Sequence, residues 1–377
     1  MQRNAPLPFG ARAHGFTLVE LMVGMALALI TTVIIAQVVV NAEGQRRTTS
    51  SGSDAQVNGS IGLYTLGRDV QGAGYGIISH SAALGCPIQA KYGSAATLAL
   101  TLAPVTITVD ANGVPTLRTL SSGRSSFSVP MVVKANHAPV VDVTVKRVST
   151  GVSAGDVMMA VPGTWSGTNG CTVFEVAPSG TNLLTTTQVP KAVVATGWNP
   201  ATSLMPATGY PADTSYLVNL GRIVLREYTI SNEALVMREL QTNGTMSADQ
   251  VLASGIVAMR VMYGRDTTNP KDGVVDQYDT TTPTTADDWS RVLSVRIAVT
   301  ARSEVREKDN VTTADPVWDV GTATTVTGTS ACSSGSSRKC LTLTIPKPNA
   351  GDTEWQHYRY KVYDTIVPLR NVLWSAV

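Results

Sequence analysis

The chain has 377 residues, 29 basic and 27 acidic, with 43% hydrophobic but 15% charged residues, against roughly 25% charged in ordinary soluble domains. Arg3 and Arg12 are the charges of the first fifteen residues, so the remainder holds 27 of each sign and is formally neutral. That balance argues against nucleic acid as an electrostatically steered partner, which normally demands a basic surplus, while the length allows a large core in one or two domains.

In chain order, the basic leader of residues 1–15 is followed by an apolar run from Phe16 to Val40, broken by one charge, Glu20. As a helix this run is roughly 37 Å long, enough to cross a bilayer. A secretory signal has an apolar core of roughly 7–15 residues, so the run is too long for one. The arginines before it predict a cytoplasmic N-terminus and an exported body. A plain membrane anchor gives no reason for Glu20, because a carboxylate in lipid is costly without a partner.

The helix is predicted to continue over residues 41–76. Val57, Ile61 and Tyr64 form one stripe, and Leu63, Leu66 and Val70 a second. Gly44, Gly52 and Gly59, with the polar run Thr48–Ser53, predict a bent or loosened stretch between, and Gly72, Gly74 and Gly76 a stop. From about residue 85 the period changes to two: Val105, Ile107 and Val109; Val141, Val143 and Val145; Val257, Met259, Val261 and Tyr263; Leu293, Val295, Ile297 and Val299. Each reads as a half-buried strand. Arg222–Ile230 and Ala234–Leu240 read as a hairpin turning at Ser231-Asn232-Glu233. Polar loops are expected near 196–214, 264–289 and 320–340. The predicted class is α+β: a long N-terminal transmembrane helix, then a mostly antiparallel β-rich head over 77–377.

Cys86, Cys171, Cys332 and Cys340 permit three pairings. No C-x-x-C spacing suggests zinc, and export makes disulfides the default. Cys332 and Cys340 flank a short polar loop and are expected to pair, which leaves Cys86 for Cys171.

Gly15-Phe16-Thr17-Leu18-Val19-Glu20, followed by LMVGMALALI, resembles the class III signal of type IV prepilins. The resemblance implies cleavage by prepilin peptidase between Gly15 and Phe16, methylation of the new N-terminus, and an assembly role for Glu20 as fifth mature residue. Ile256–Asp266, Lys271–Asp276, Arg291–Ser303 and Tyr358–Asn371 resemble PilW-type minor pilins. That resemblance implies a single-pass protein of the bacterial inner membrane whose head is periplasmic or extracellular. It implies entry into a pilus near the tip, with other minor pilins, the major pilin and a tip adhesin as partners. The alternatives are a J-type minor pseudopilin of a type II secretion system, which shares the N-terminus, and a membrane-tethered periplasmic binding protein.

No enzyme is expected. Gly151-Val152-Ser153-Ala154-Gly155 fits G-x-S-x-G, but a strand pattern follows where the hydrolase elbow needs a helix. Asp266, Asn269, Asp272, Asp276 and Asp279 crowd one loop, and such hard oxygens are the donors calcium uses, so Ca²⁺ is the one cofactor considered. The spacing is not that of an EF-hand, and solvated turn acids are the competing reading. Tyr358, Tyr360 and Val362 alternate with Arg359 and Lys361. Aromatics between basics suit single-stranded nucleic acid, but a two-faced strand explains the same alternation.

Overall fold

The computed structural model describes residues 15–78, 80–125, 129–135, 142–148, 151–167, 169–177, 187–191, 197–198, 204–347, 349 and 351–373. The leader up to His14, with Arg3 and Arg12, and Val141 of one predicted strand lie outside them. The chain divides into two units, Met1–Gly52 and Ser53–Val377.

One helix, α1 (Leu18–Gly72), crosses the dividing line. The predicted loosening is not seen in its hydrogen bonding, which stays α-helical throughout. Glycine costs a helix about 1 kcal/mol against alanine and does not by itself open a turn. Instead the weak stretch is where the two units divide. In the first unit the side chains from Leu18 to Val40 are exposed around the whole circumference, and Leu18–Arg46 is long and apolar enough to span a membrane. Thr31 and Thr32 return their hydroxyls to the carbonyls of Leu27 and Ala28 at 2.7 and 2.9 Å, so neither leaves a donor facing that apolar surface.

In the second unit α1 stops at Gly72, as predicted, and Gly74 and Gly76 follow with positive φ. Five sheets come after it among the described residues, the smallest a pairing of Val143–Thr144 with Gln188–Val189. The first runs Leu98–Thr101, Pro87–Ala90, Cys171–Glu175, Val157–Val161, Tyr216–Gly221, Met131–Val132; only the second and third of these are paired in parallel. The second runs Gln250–Ser254, Ala234–Glu239, Ile223–Ser231, Pro115–Ser122, Val105–Val109. The third runs Gln277–Asp279, Ile256–Arg265, Val292–Arg302, Tyr360–Pro368, and the fourth Val317–Gly321, Lys339–Thr342, Thr329–Ala331. The predicted hairpin is present. Asn232 and Glu233 both have φ in the left-handed region, the backbone that a two-residue turn matched to strand twist requires.

The half-buried expectation fails in the third sheet. Val261, Tyr263, Val295, Ile297 and Val299 enter the core shared with α1, yet Met262 and Ala298 on the opposite face are buried too, against Trp318, Val320 and Leu343 of the fourth sheet and its margin. Small Ala298 lets the fourth sheet approach, and Arg296 lies over the Trp318 ring at 4.8 Å while donating to Asp364.

Both predicted disulfides are present. Cys86–Cys171 fastens the segment before Pro87–Ala90 to the neighbouring strand of the first sheet, and Cys332–Cys340 closes the loop beside the fourth. Cys86 and Cys171 are fully buried within the core between the first two sheets.

Candidate assembly site on the N-terminal helix

Gly15, Phe16 and Thr17 precede α1 and are not helical. Phe16 is 86% exposed, and no atom lies near the place a Gly15 side chain would occupy. The Gly15–Phe16 bond therefore sits in exposed, non-helical chain.

Glu20 stands in the first turn of α1. Thr17 N–H and Thr17 Oγ1 donate to Glu20 Oε2 at 2.9 and 3.0 Å, and Glu20 N–H donates back to Thr17 Oγ1 at 3.2 Å. This is a capping box. It satisfies two amide donors that a helix start leaves without partners, and it places a carboxylate at the positive end of the helix dipole. Thr17-x-x-Glu20 is the capping-box signature and is legible in the sequence.

The second part of the site belongs to the head unit and consists of the seat for the last twenty or so residues of α1. Leu66 and Val70 are fully buried in it, with Ala55 and the half-buried Leu63. The other predicted stripe faces outward: Val57, Ile61 and Tyr64 are 51, 48 and 72% exposed. Glycines allow the close fit. A Cβ on Gly59 would lie 2.4 Å from Tyr363 Cδ2, and one on Gly62 3.3 Å from Leu235 Cδ2. Polar contacts then fix the helix lengthwise. Asp69 accepts from Arg226 at 2.9 Å and from the Tyr228 hydroxyl. Burial and the neighbouring Asp69 charge push the Tyr228 phenol far above its ordinary range, so it stays a donor at every physiological pH. Past the helix end, Asn371 Nδ2 donates to the Ala73 carbonyl at 2.8 Å.

The remaining candidates separate cleanly. In the acidic loop, Asp266 is buried and accepts from the amides of Thr268, Asp272 and Gly273 at 2.8–3.0 Å. Asp272 accepts from Val274 N–H at 2.9 Å. Asp276 accepts from the amides and hydroxyls of Thr267 and Thr268, which hold its carboxyl below the usual range. Asp279 binds Arg265 at 2.9 Å and Thr281 N–H at 2.8 Å, and Asn269 is exposed. Each of the four aspartates thus has at least one oxygen accepting from the loop's own donors or from Arg265. Among the described residues, the one convergence of three His, Cys, Asp or Glu ligand atoms is Asp319, Cys332 and Cys340. There the two cysteines are spent on each other. The 151–155 segment is a turn: Ser153 N–H donates to Asp156 at 2.9 Å, and Val157–Val161 follows as a strand. The hydrolase elbow is therefore absent at this motif. Arg359 is paired with Glu307, and Arg302 lies over the Tyr358 ring at 4.5 Å, as a two-faced strand predicts.

Comparison with known families places these features. Residues 10–36 match the model described as the prokaryotic N-terminal methylation motif, which supports a type IV prepilin-like N-terminus, with an apolar helix long enough to span a membrane. Residues 224–371 match the model described as Type IV Pilus-assembly protein W, so its head carries a PilW region. No curated protein and no solved structure matches. The PilW match coincides with the seat. Arg226, Tyr228, Leu235, Tyr363, Val367 and Asn371, which hold α1, all fall inside it.

Proposed function

We propose that this protein is a minor pilin that primes or joins a type IV pilus near its tip, a structural and assembly subunit and not an enzyme. Residues 1–15 are the leader, removed by prepilin peptidase between Gly15 and Phe16. Residues 16–40 hold the subunit in the inner membrane with the N-terminus cytoplasmic, 41–76 carry the helix out, and 77–377 form the exported head. The observation that carries the reading is the pairing of a methylation-motif helix with a PilW region that grips the same helix further on. During assembly the apolar helix exchanges lipid for neighbouring helices, and the head selects its partners: other minor pilins, the major pilin and an adhesin.

Glu20 has two tasks in this scheme. It caps its own helix, and in the low dielectric of packed helices its charge attracts the free N-terminal amine of a neighbour, setting axial register. Glu20→Gln keeps the shape and an acceptor oxygen for the cap but removes the charge. The expected outcome is processed, membrane-inserted protein that supports few surface pili and co-purifies poorly with partner pilins. Pili and partner recovery at wild-type levels would refute the register role.

A further inference from the structure

We propose that the head binds a saccharide in a cavity between its first and second sheets. The cavity measures about 350 Å³, within the roughly 300–1,000 Å³ typical of small-molecule sites and at their lower end. Its apolar part comes from Val157, Ile223 and Leu240, and its polar part from Glu175, Arg222, Gln241 and Thr242.

The site is built. Glu175 N–H donates to the Trp198 carbonyl at 3.3 Å, and Trp198 N–H donates to Glu175 Oε2 at 3.1 Å. This double tie fixes the carboxylate of a residue that lines the cavity. Trp198 in turn meets the Tyr92 ring edge-on, with centroids 5.6 Å apart, so the half-buried Tyr92 ring stands in a set orientation. From the other side the 241–245 turn closes against it, with Gly244 so near that a Cβ would lie 2.4 Å from Tyr92 Cβ. At the rim, the Arg222 guanidinium is shared with Glu239 at 3.6 Å.

These features select among ligand classes. A lipid or other apolar ligand would shield the Glu175 carboxylate from water while offering it no further donor, which is costly. Phosphate and other anions meet the Glu175 carboxylate, while Arg222 already answers a carboxylate. A neutral ligand with many hydroxyls and one apolar face meets neither objection. Its hydroxyls donate to Glu175 in charge-assisted bonds and exchange bonds with Arg222, Gln241 and Thr242, while its C–H face rests on the Tyr92 ring and the aliphatic floor. That is the chemistry of a mono- or disaccharide. The site does not depend on whether the chain enters a pilus.

The test uses the full chain in micelles of a detergent without a sugar headgroup. Glucose, galactose, mannose, N-acetylglucosamine and maltose are titrated separately, with binding read by saturation-transfer NMR and calorimetry. At least one should bind at millimolar concentration. Glu175→Gln keeps the Trp198 bond and should weaken binding about tenfold or more, by loss of charge-assisted acceptance. Thr242→Trp, at an exposed rim position, should abolish binding with the melting temperature unchanged; if it does not fold, Glu175→Gln alone decides. Absence of binding by all five sugars, binding that survives a folded Thr242→Trp and Glu175→Gln, or preferential binding of acetate or glycine each overturns the proposal.

Discussion

Gly59→Ala adds one methyl where α1 crosses Tyr363. The new Cβ would lie 2.4 Å from Cδ2, 2.6 Å from Cε2 and 3.2 Å from Cγ of that ring, whereas carbon atoms in contact settle near 3.5–4.0 Å. Helix and strand must part by about 1 Å, or the ring must leave its place against the core. Overpacking of this kind costs about 1–3 kcal/mol, partly offset by about 1 kcal/mol of helix propensity. Gly67 is the internal control, because a Cβ there meets Val367 Cγ2 at an ordinary 3.7 Å, so Gly67→Ala should gain that propensity with no clash. The two variants should therefore differ by about 1–3 kcal/mol, or several degrees of melting temperature. The assay is thermal unfolding of the full chain in detergent, followed by near-ultraviolet circular dichroism. Repeating Gly59→Ala in a Tyr363→Ala background should remove the penalty, a coupling a double-mutant cycle measures. Equal stability of Gly59→Ala and Gly67→Ala would refute the close-fit account of the seat.

Gly15→Val should leave an uncut precursor in the inner membrane, seen by mass spectrometry; mature-length protein would sink the cleavage assignment. Replacing Cys86 and Cys171 together by serine should lower stability by about 4–5 kcal/mol, since the bridge closes a loop of some 85 residues in the chain-entropy model, whereas loss of the short Cys332–Cys340 bridge should cost less. Chelator and excess calcium should give the same melting temperature, and a calcium-dependent rise would reinstate the acidic loop as a cation site. Asp276 has its folded-state pKa depressed below 3.8 by the Thr267 and Thr268 donors. Its stabilisation is complete above that value and lost as pH falls through the lowered one. Amide exchange at Thr267 and Thr268, corrected for its intrinsic pH dependence, should therefore accelerate at acid pH, and in Asp276→Asn should lose this acid step.

The sequence by itself determined the features set by local chemistry. The apolar run and its single acid are properties of consecutive residues, and GFTLVE marks the helix start and the methylation motif without reference to the rest of the fold. Period-two alternation located four of the strands, one of them described only over Val143–Thr144, and the hairpin followed from its polar turn. The disulfides were legible because Cys332 and Cys340 are neighbours in sequence, so that one pair implied the other. What only the tertiary structure decided depends on which surface meets which. Two stripes on α1 are equally apolar, yet Leu66 and Val70 are buried while Val57, Ile61 and Tyr64 are exposed, because Gly59 and Gly62 let the sheets approach one side closely. Alternation cannot reveal that the second face of Val292–Arg302 is covered as well, since the covering Trp318 is brought there by a separate sheet. The acidic loop read as a candidate cage because composition gives oxygens without their partners; only the folded loop shows which amides and hydroxyls donate to Asp266 and Asp276. The cavity beside Glu175 joins Tyr92, Trp198 and Arg222 from segments far apart in the chain, and long-range association of that kind leaves no periodic trace in a single sequence.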